Sequence, residues 1–522
     1  MRLTCLLPLS LMAACSAESS LFDEAMDTGR YDDAADATTG SWGDDDDDAS
    51  VPETEDDFLA LPPAQTDTYV FVANPGRNTV TRINVQTLEV RTTEVGANPI
   101  TVLTTPDYAT AAVFNSGDDT VHIIDADTLD TRIVGVRANF NAMKMSPDGL
   151  FVVLWHDVAA EDPDEPPPEG LQSFNETSFV NLQSGEHFAM AVGFNPRNVV
   201  FDRNSQQAAV VSDEYLALVD LQVEPLLPTL IQLDADLIDT PEAEEVVLSP
   251  DGDYAFVRQF GTQEILIVDL LSETVGSVPV GLNPTDLDLS PDGSQAVVVT
   301  RGSDELWVLE TADPFAPPEV VSLPLGTSFG SVLFEPTGTQ ALVYTTAGSV
   351  DRYATWNLLN DEITLRSLVK PIKSLSITPT GESALIFHTL DDAADADTNS
   401  PFYGEWALTM LALTDYRTNP LLLPAEPTGF ANSSNGNYGF FIMEDQPFLE
   451  QLNFETLLHE EISLKSNPVY VGVLPDLDEG DGVEPHAWAS QDHELGRISF
   501  LDPLSQAVET ITGFELNSQI GD

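Results

Sequence analysis

From Thr68 onward the chain consists of short apolar runs separated by turn residues. In "EILIVDL", from Glu264, Ile265 and Ile267 share one face of an extended strand and Leu266 and Val268 the other, so neighbouring sheets are expected to cover both faces. The segment Thr68–Asp107, "TYVFVANPGRNTVTRINVQTLEVRTTEVGANPITVLTTPD", holds three such runs, then Asn98-Pro99, a fourth run and a turn. This frame recurs. "INVQTLEVRTTEVGANP" from Ile83 lies without a gap on "LNFETLLHEEISLKSNP" from Leu452, and Asn-Pro returns at Asn195 and Asn283. The turn returns as "SPDG" at Ser146, Ser249 and Ser290, as "EPTG" at Glu335 and as "TPTG" at Thr378.

A period of about 40 to 55 residues with four strands per unit predicts an all-β fold, a β-propeller of four-stranded antiparallel blades. Counted outward from an inner strand, the second strands begin near residues 69, 108, 150, 206, 253, 294, 339, 382, 437 and 485, which gives ten repeat units. Because propellers usually have about four to eight blades, the alternatives are one large ring or a ring of seven or eight blades with the remaining repeats arranged otherwise. Nothing strand-like stands before Tyr69, so the first unit lacks its inner strand. The C-terminal segment Phe514–Asp522, with Leu516 to Ile520 in strand position, is expected to supply it and close the ring, since an open sheet edge invites aggregation. Asp125, Asp220, Asp269 and Asp502 each end a third strand, where a carboxylate caps the amides of the following turn. In "SPDG", Pro fixes φ and Gly permits a positive one, so the repeated Asp belongs to the architecture.

"YVFVAN", "TVTRINV", "VGANP" and "TPD" in the first unit, together with "EILIVDLLSETVGSVPVGLNPTDLDLSPDG" from Glu264, resemble the YVTN-type β-propeller repeat family of surface-layer-like proteins, which is related to lactonase-like propellers. The resemblance runs from about Thr68 to the C-terminus. "FVRQFG" and "VYTTAG" depart from it where the family has "YVAN". It implies the fold and leaves the function open.

Charge narrows the partners. The 522 residues include 19 Lys plus Arg against 87 Asp plus Glu, a net charge of −68, which repels nucleic acid and anionic membrane surfaces. A protein or other surface of cationic character fits better, and a monomer is expected. Both cysteines lie in "MRLTCLLPLSLMAACSAESS". Arg2, the apolar run Leu3–Ala14 and the small residues before Cys15 have the form of a signal peptide too short to span a bilayer. The boundary resembles a bacterial lipobox, which implies a signal peptide over residues 1–14, a lipidated Cys15, and routing to the outer membrane through Ser16. The alternative is cleavage after Ala17 and secretion. Residues 15–67, which contain "GSWGDDDDDASVPETEDD", have too few large apolar residues to offset ordering entropy, so they are expected to form a disordered acidic tether reaching about 40 Å. Residues 68–522 form the propeller.

Candidate chemistry gathers in the insertions. "HDVAAEDPDEPPPEGLQSFNE" from His156 and "LDDAADADTNSPFYGE" from Leu390 fall between second and third strands, while "LDADLIDTPEAEE" from Leu233 runs from an outer to an inner strand. All three leave on one face of a propeller, which makes Asp157, Glu161, Asp162, Asp164, Glu165, Asp234, Asp236, Asp239, Asp391 and Asp392 candidate binding residues. Two segments resemble calcium loops, whose closely spaced carboxylates converge on a hard cation. One offers Asp395, Asp397 and Asn399, and the other Asp476, Asp478, Asp481 and Glu484 on the opposite face. No further cofactor is implied. His486 and His493 fall around one second strand, and His459 in a turn between third and outer strands. The chain has no nucleophile elbow, Gly-rich phosphate loop or zinc motif. The expected function is therefore that of a non-catalytic binding or scaffold propeller of the cell envelope. The alternatives are a lactonase-like hydrolase and a calcium-dependent adhesion module.

Overall fold

The strand Glu264–Asp269 shows how the repeats pack. In the computed structural model, which describes residues 63–158, 174–233, 243–259, 261–476 and 484–514, Ile265 and Ile267 are buried in one apolar cluster and Leu266 and Val268 in another. The first cluster joins this sheet to the following one through Leu287, Ala296 and Val298, the second to the preceding one through Ala209, Val211 and Leu216. Alternation with both faces apolar is what a sheet sandwiched between two others requires.

Ten four-stranded antiparallel sheets are formed, each ordered from inner to outer strand as the chain runs, and they are the ten blades of a β-propeller. The second strands begin at Tyr69, Thr110, Phe151, Gln207, Tyr254, Gln295, Gln340, Ser383, Tyr438 and Ala487, each within two residues of the expected position. The core lies in the seams between blades. Nine apolar clusters each bridge two consecutive blades. The seam between blades 8 and 9 is filled by Phe387 against Phe430 and Phe441, with ring centroids 5.7 and 5.9 Å apart. Each fully buried large apolar side chain contributes about 1.5–3 kcal/mol before entropy is counted, so every seam is a strong contact.

Local chemistry sets the two ends of the inner strands. Asn98, Asn195 and Asn283 all take the left-handed conformation, and the Pro after Asn98 and Asn283 begins an inner strand with a β-bulge. Pro has no N–H to give to a ladder and suits this irregular start. At the other end, Ser146, Ser249 and Ser290 donate their hydroxyls to Asp148, Asp251 and Asp292 at 2.6, 2.7 and 2.8 Å. The same hydroxyls accept the amides of Phe151, Tyr254 and Gln295, closing the turn to the second strand. Gly149, Gly252 and Gly293 supply the positive φ. The third-strand caps are also present: Asp125 accepts the amides of Asp127 and Thr128, Asp220 that of Gln222, Asp269 that of Ser272 and Asp502 that of Leu504.

Ring closure differs from the sequence expectation. The inner strand of blade 1 is Ala64–Gln65, which pairs with Phe71 and Val70 of the second strand. The propeller therefore begins at Ala64, four residues before Thr68 and within the stretch assigned to the tether. Two residues are too few to show an alternating pattern, which is why this strand has no sequence signature. The Gln65 side chain bonds to the Val473 carbonyl and accepts from the Trp488 indole, both in blade 10. Val70, Ile83 and Val85 of blade 1 share a cluster with Leu474, Trp488, Ile498, Phe500 and Phe514. Phe514 thus helps to close the ring through its side chain. Leu516 to Ile520, expected as the first blade's inner strand, lie outside the described residues.

Candidate functional site

In these up-and-down sheets, second-to-third and outer-to-inner connections start from the same end, and the described ends of the three insertions, at Asp157, Leu233 and Leu390, stand at that end of their strands. Asp157 follows the second strand of blade 3, Phe151–Trp155, and Asp391 and Asp392 follow that of blade 8, Ser383–His388. Blades 3 and 8 are five apart in a ring of ten, on opposite sides of its centre. The Asp157 backbone is clamped by the Asn141 side chain, which accepts from its amide and donates to its carbonyl at 2.7 and 2.8 Å. Glu161, Asp162, Asp164, Glu165, Asp234, Asp236 and Asp239 lie outside the described residues, as does Cys15.

The loop between residues 388 and 407 is built around a buried cation. Lys370 Nζ donates to Asp392 Oδ1 at 2.8 Å and to the carbonyls of Leu390 and Phe402 at 2.8 and 3.2 Å. Its side chain is only 1% exposed. Asp392 also accepts the Gly404 amide, so the two ends of the loop are tied through one carboxylate. Beneath it, buried His388 has Nδ1 3.1 Å from the Pro371 carbonyl and Nε2 2.7 Å from Thr409 Oγ1. The carbonyl can only accept, so Nδ1 carries the proton and Nε2 accepts the Thr409 hydroxyl. Burial lowers its pKa to about 4, so the ring is neutral at physiological pH. Above this support Asp391, Asp395 and Asp397 are exposed.

The two calcium-like segments have different fates. Asp397 Oδ1 accepts both the amide and the side-chain N–H of Asn399, which lowers the Asp397 pKa and makes a local turn. Among the described residues, Asp395 and Asp397 belong to no group of three acidic side chains close enough to hold one ion. Asp476 and Glu484 do meet, at Asn435, whose Nδ2 lies 3.4 and 2.8 Å from their carboxylates, while Asp478 and Asp481 lie outside the described residues. His486 and His493 flank opposite ends of the strand Ala487–Gln491 and so emerge on opposite faces. His459 stands in the outer strand of blade 9, Leu458–Ser463, one residue past the expected turn. Its ring nitrogen meets the Glu450 carboxylate there, whose pKa burial raises.

Two features of the ring centre were not anticipated. The oxygens of Glu245, Asp286 and Asp288 lie within 4.8 Å of one another, on the inner strands Ala243–Leu248 of blade 5 and Pro284–Leu289 of blade 6. Arg258, nearly buried, holds Glu245 at 2.9 Å and Glu244 at 3.1 Å, which explains why "FVRQFG" departs from the repeat. The repeat frame held a signal for this trio. Glu245 stands four residues before Ser249 and Asp286 four before Ser290, hence at one level of adjacent blades. The second feature is a cavity of about 690 Å³ lined by the inner strands of blades 9, 10, 1, 2 and 3. Gln65, Thr101, Thr104, Met143, Lys144, Met145, Phe430, Asn432 and Trp488 are in its wall, and none of the seven histidines is.

No family model matches the chain, and no curated protein matches it. Solved structures match at the level of fold. A structure described as the eukaryotic initiation factor aligns with a TM-score of 0.50 at 11% identity, over 77% of this chain and 97% of that one. Dihydro-heme d1 dehydrogenase NirN in complex with DHE aligns at 0.43 and 14% identity, over 78% and 76% of the two chains. A putative 6-phosphogluconolactonase from Bacteroides uniformis aligns at 0.36 and 17% identity, over 58% and 92%. At such identities a likeness shows the fold alone, and by its own sheets the chain is a ten-bladed β-propeller.

Proposed function

We propose that the protein is a non-catalytic binding or scaffold propeller of the cell envelope, of the YVTN type, lipid-anchored through Cys15 and held off the membrane by its acidic tether. Its acidic face receives a cationic protein or surface. The observation that carries this reading is the loop built on Lys370. A buried ammonium fixes the loop ends, while Asp391, Asp395 and Asp397 remain exposed. Rigid support under solvated carboxylates is how a scaffold presents charge at little ordering cost. The central cavity, lined by hydroxyl, amide and apolar groups with the single ammonium of Lys144, also suits binding better than hydrolysis.

The test is titration of the full chain with poly-lysine of defined length. Neutralising Asp391, Asp395 and Asp397 to Asn is expected to weaken binding at least tenfold at low salt. An unchanged affinity would remove the acidic face from the reading.

A second reading, a hydrolase resembling lactonase-like propellers, draws on the convergence of Glu245, Asp286 and Asp288. An all-oxygen donor set suits a hard divalent cation such as calcium. Calcium-dependent hydrolysis of δ-valerolactone that is lost in Asp286→Asn would establish it. A flat calorimetric trace with calcium would end both this reading and the calcium-dependent adhesion module.

A further inference from the structure

The chain has four lysines, and only one lines the central cavity. Lys144 lies on the inner strand of blade 3, Ala142–Met145. The five inner strands around the cavity carry no other side chain charged at neutral pH. In a chain of net charge −68, an ammonium is expected to find a carboxylate. Among the described residues the Lys144 Nζ instead has one hydrogen-bond partner, the neutral Asn198 Oδ1 at 3.2 Å. Lys144 is exposed to the cavity, and the protein around it lowers the pKa of its ammonium by partial desolvation.

Two carboxylates of the neighbouring turns are engaged locally. In the turns that follow the inner strands of blades 2 and 3, Asp107 and Asp148 accept the Thr105 and Ser146 hydroxyls at 2.6 Å. The lining residues 430–432 and 471–473 are the C-terminal halves of their strands, 101–104 and 143–145 are all but the first residues of theirs, and 64–65 is a whole strand. The cavity therefore extends toward the inner-to-second-strand turns.

The same wall has other unfilled polar capacity. Asn432 Oδ1 is buried without a hydrogen-bond partner, whereas the inner-strand carbonyls of Gln65 and Val473 are already taken by the side chains of Thr104 and Gln65. The apolar part of the wall is Met143, Met145, Phe430 and Trp488. Methionines adapt to ligand shape, and about 690 Å³ is within the range of small-molecule sites.

We infer that the central cavity is a binding site for a small amphipathic organic anion, whose oxyanion rests on Lys144 Nζ and whose apolar body lies against Met143, Met145, Phe430 and Trp488. A neutral ligand would leave the ammonium without a counter-charge, and a cationic one would be repelled by it. This site is independent of the acidic face, and its failure would leave that proposal intact.

The test is calorimetric titration of the full chain with decanoate, decyl phosphate and decanol, three probes with the same tail. One saturable site is expected for at least one anion, with decanol at least roughly tenfold weaker, the usual scale of a charge-assisted contact. The stronger of decanoate and decyl phosphate identifies the head group. Lys144→Gln is expected to abolish the preference over decanol, and Lys144→Arg to retain it. Lys465→Gln, a lysine outside the cavity wall, should leave all three affinities unchanged. Equal binding of decanol and both anions would overturn the inference. So would unchanged anion affinity in Lys144→Gln, an equal loss in Lys465→Gln, or no saturable binding by any probe.

Discussion

Asp251 has a role that its repetition in sequence already suggested. Its carboxylate accepts the Ser249 hydroxyl at 2.7 Å and the Asp253 amide at 3.3 Å, and the first of these bonds chiefly lowers its pKa. A carboxylate whose folded pKa lies below its unfolded one stabilises the fold at neutral pH. That contribution is lost as pH falls from about 4 through the folded value. Asp251→Ala is therefore expected to destabilise the protein by roughly 1 kcal/mol at pH 7, with the gap closing in acid, as urea unfolding at pH 7 and pH 3 would measure. An equal gap at both pH values would contradict the role. Such caps were legible because donor and acceptor lie within a few residues. Glu245, Asp286 and Asp288 escaped notice because their neighbourhood exists only once two blades pack. Lys144 escaped for the same reason, since its importance is a carboxylate that no nearby strand supplies.

Strands and turns were legible to within a residue or two because period-two alternation with both faces apolar has few other solutions in a repeat of this length. The supports under the loops were not. His388 ends the second strand of blade 8 as one more residue in an apolar run, yet it packs below the Lys370 site and is held neutral by burial. Its pKa falls from an unfolded value near 6.5 to about 4, so the unfolded chain takes up a proton before the folded one does. Stability should consequently drop as pH falls from about 6.5 to about 4, by up to roughly 3 kcal/mol from this group. His388→Gln keeps a neutral donor and acceptor and should flatten that interval, at some cost at pH 7. Chemical denaturation across the interval decides it, and a slope unchanged in the variant would show that other groups titrate there.

A ring is only as stable as the seam where its ends meet, and here that seam joins blade 1 to blade 10 through Gln65, Trp488 and Phe514. Sequence reasoning placed the closure at the right blades but assigned it to the wrong strand, because a two-residue strand such as Ala64–Gln65 has no pattern of its own. Phe514→Ala removes a ring that is 3% exposed and should cost about 3–5 kcal/mol, the range for such core truncations. A melting temperature within a degree of the parent would mean that the seam is held elsewhere. Across the whole molecule, a net charge of −68 makes self-repulsion the general opponent of the folded state. Salt shortens its range from about 30 Å at 0.01 M to about 8 Å at 0.15 M. The melting temperature should therefore rise with sodium chloride over this interval. Poly-lysine binding at the acidic face should weaken over the same interval, because the same screening removes its attraction. The two responses have one cause and opposite signs. If stability and affinity instead moved together with salt, net charge would not govern both.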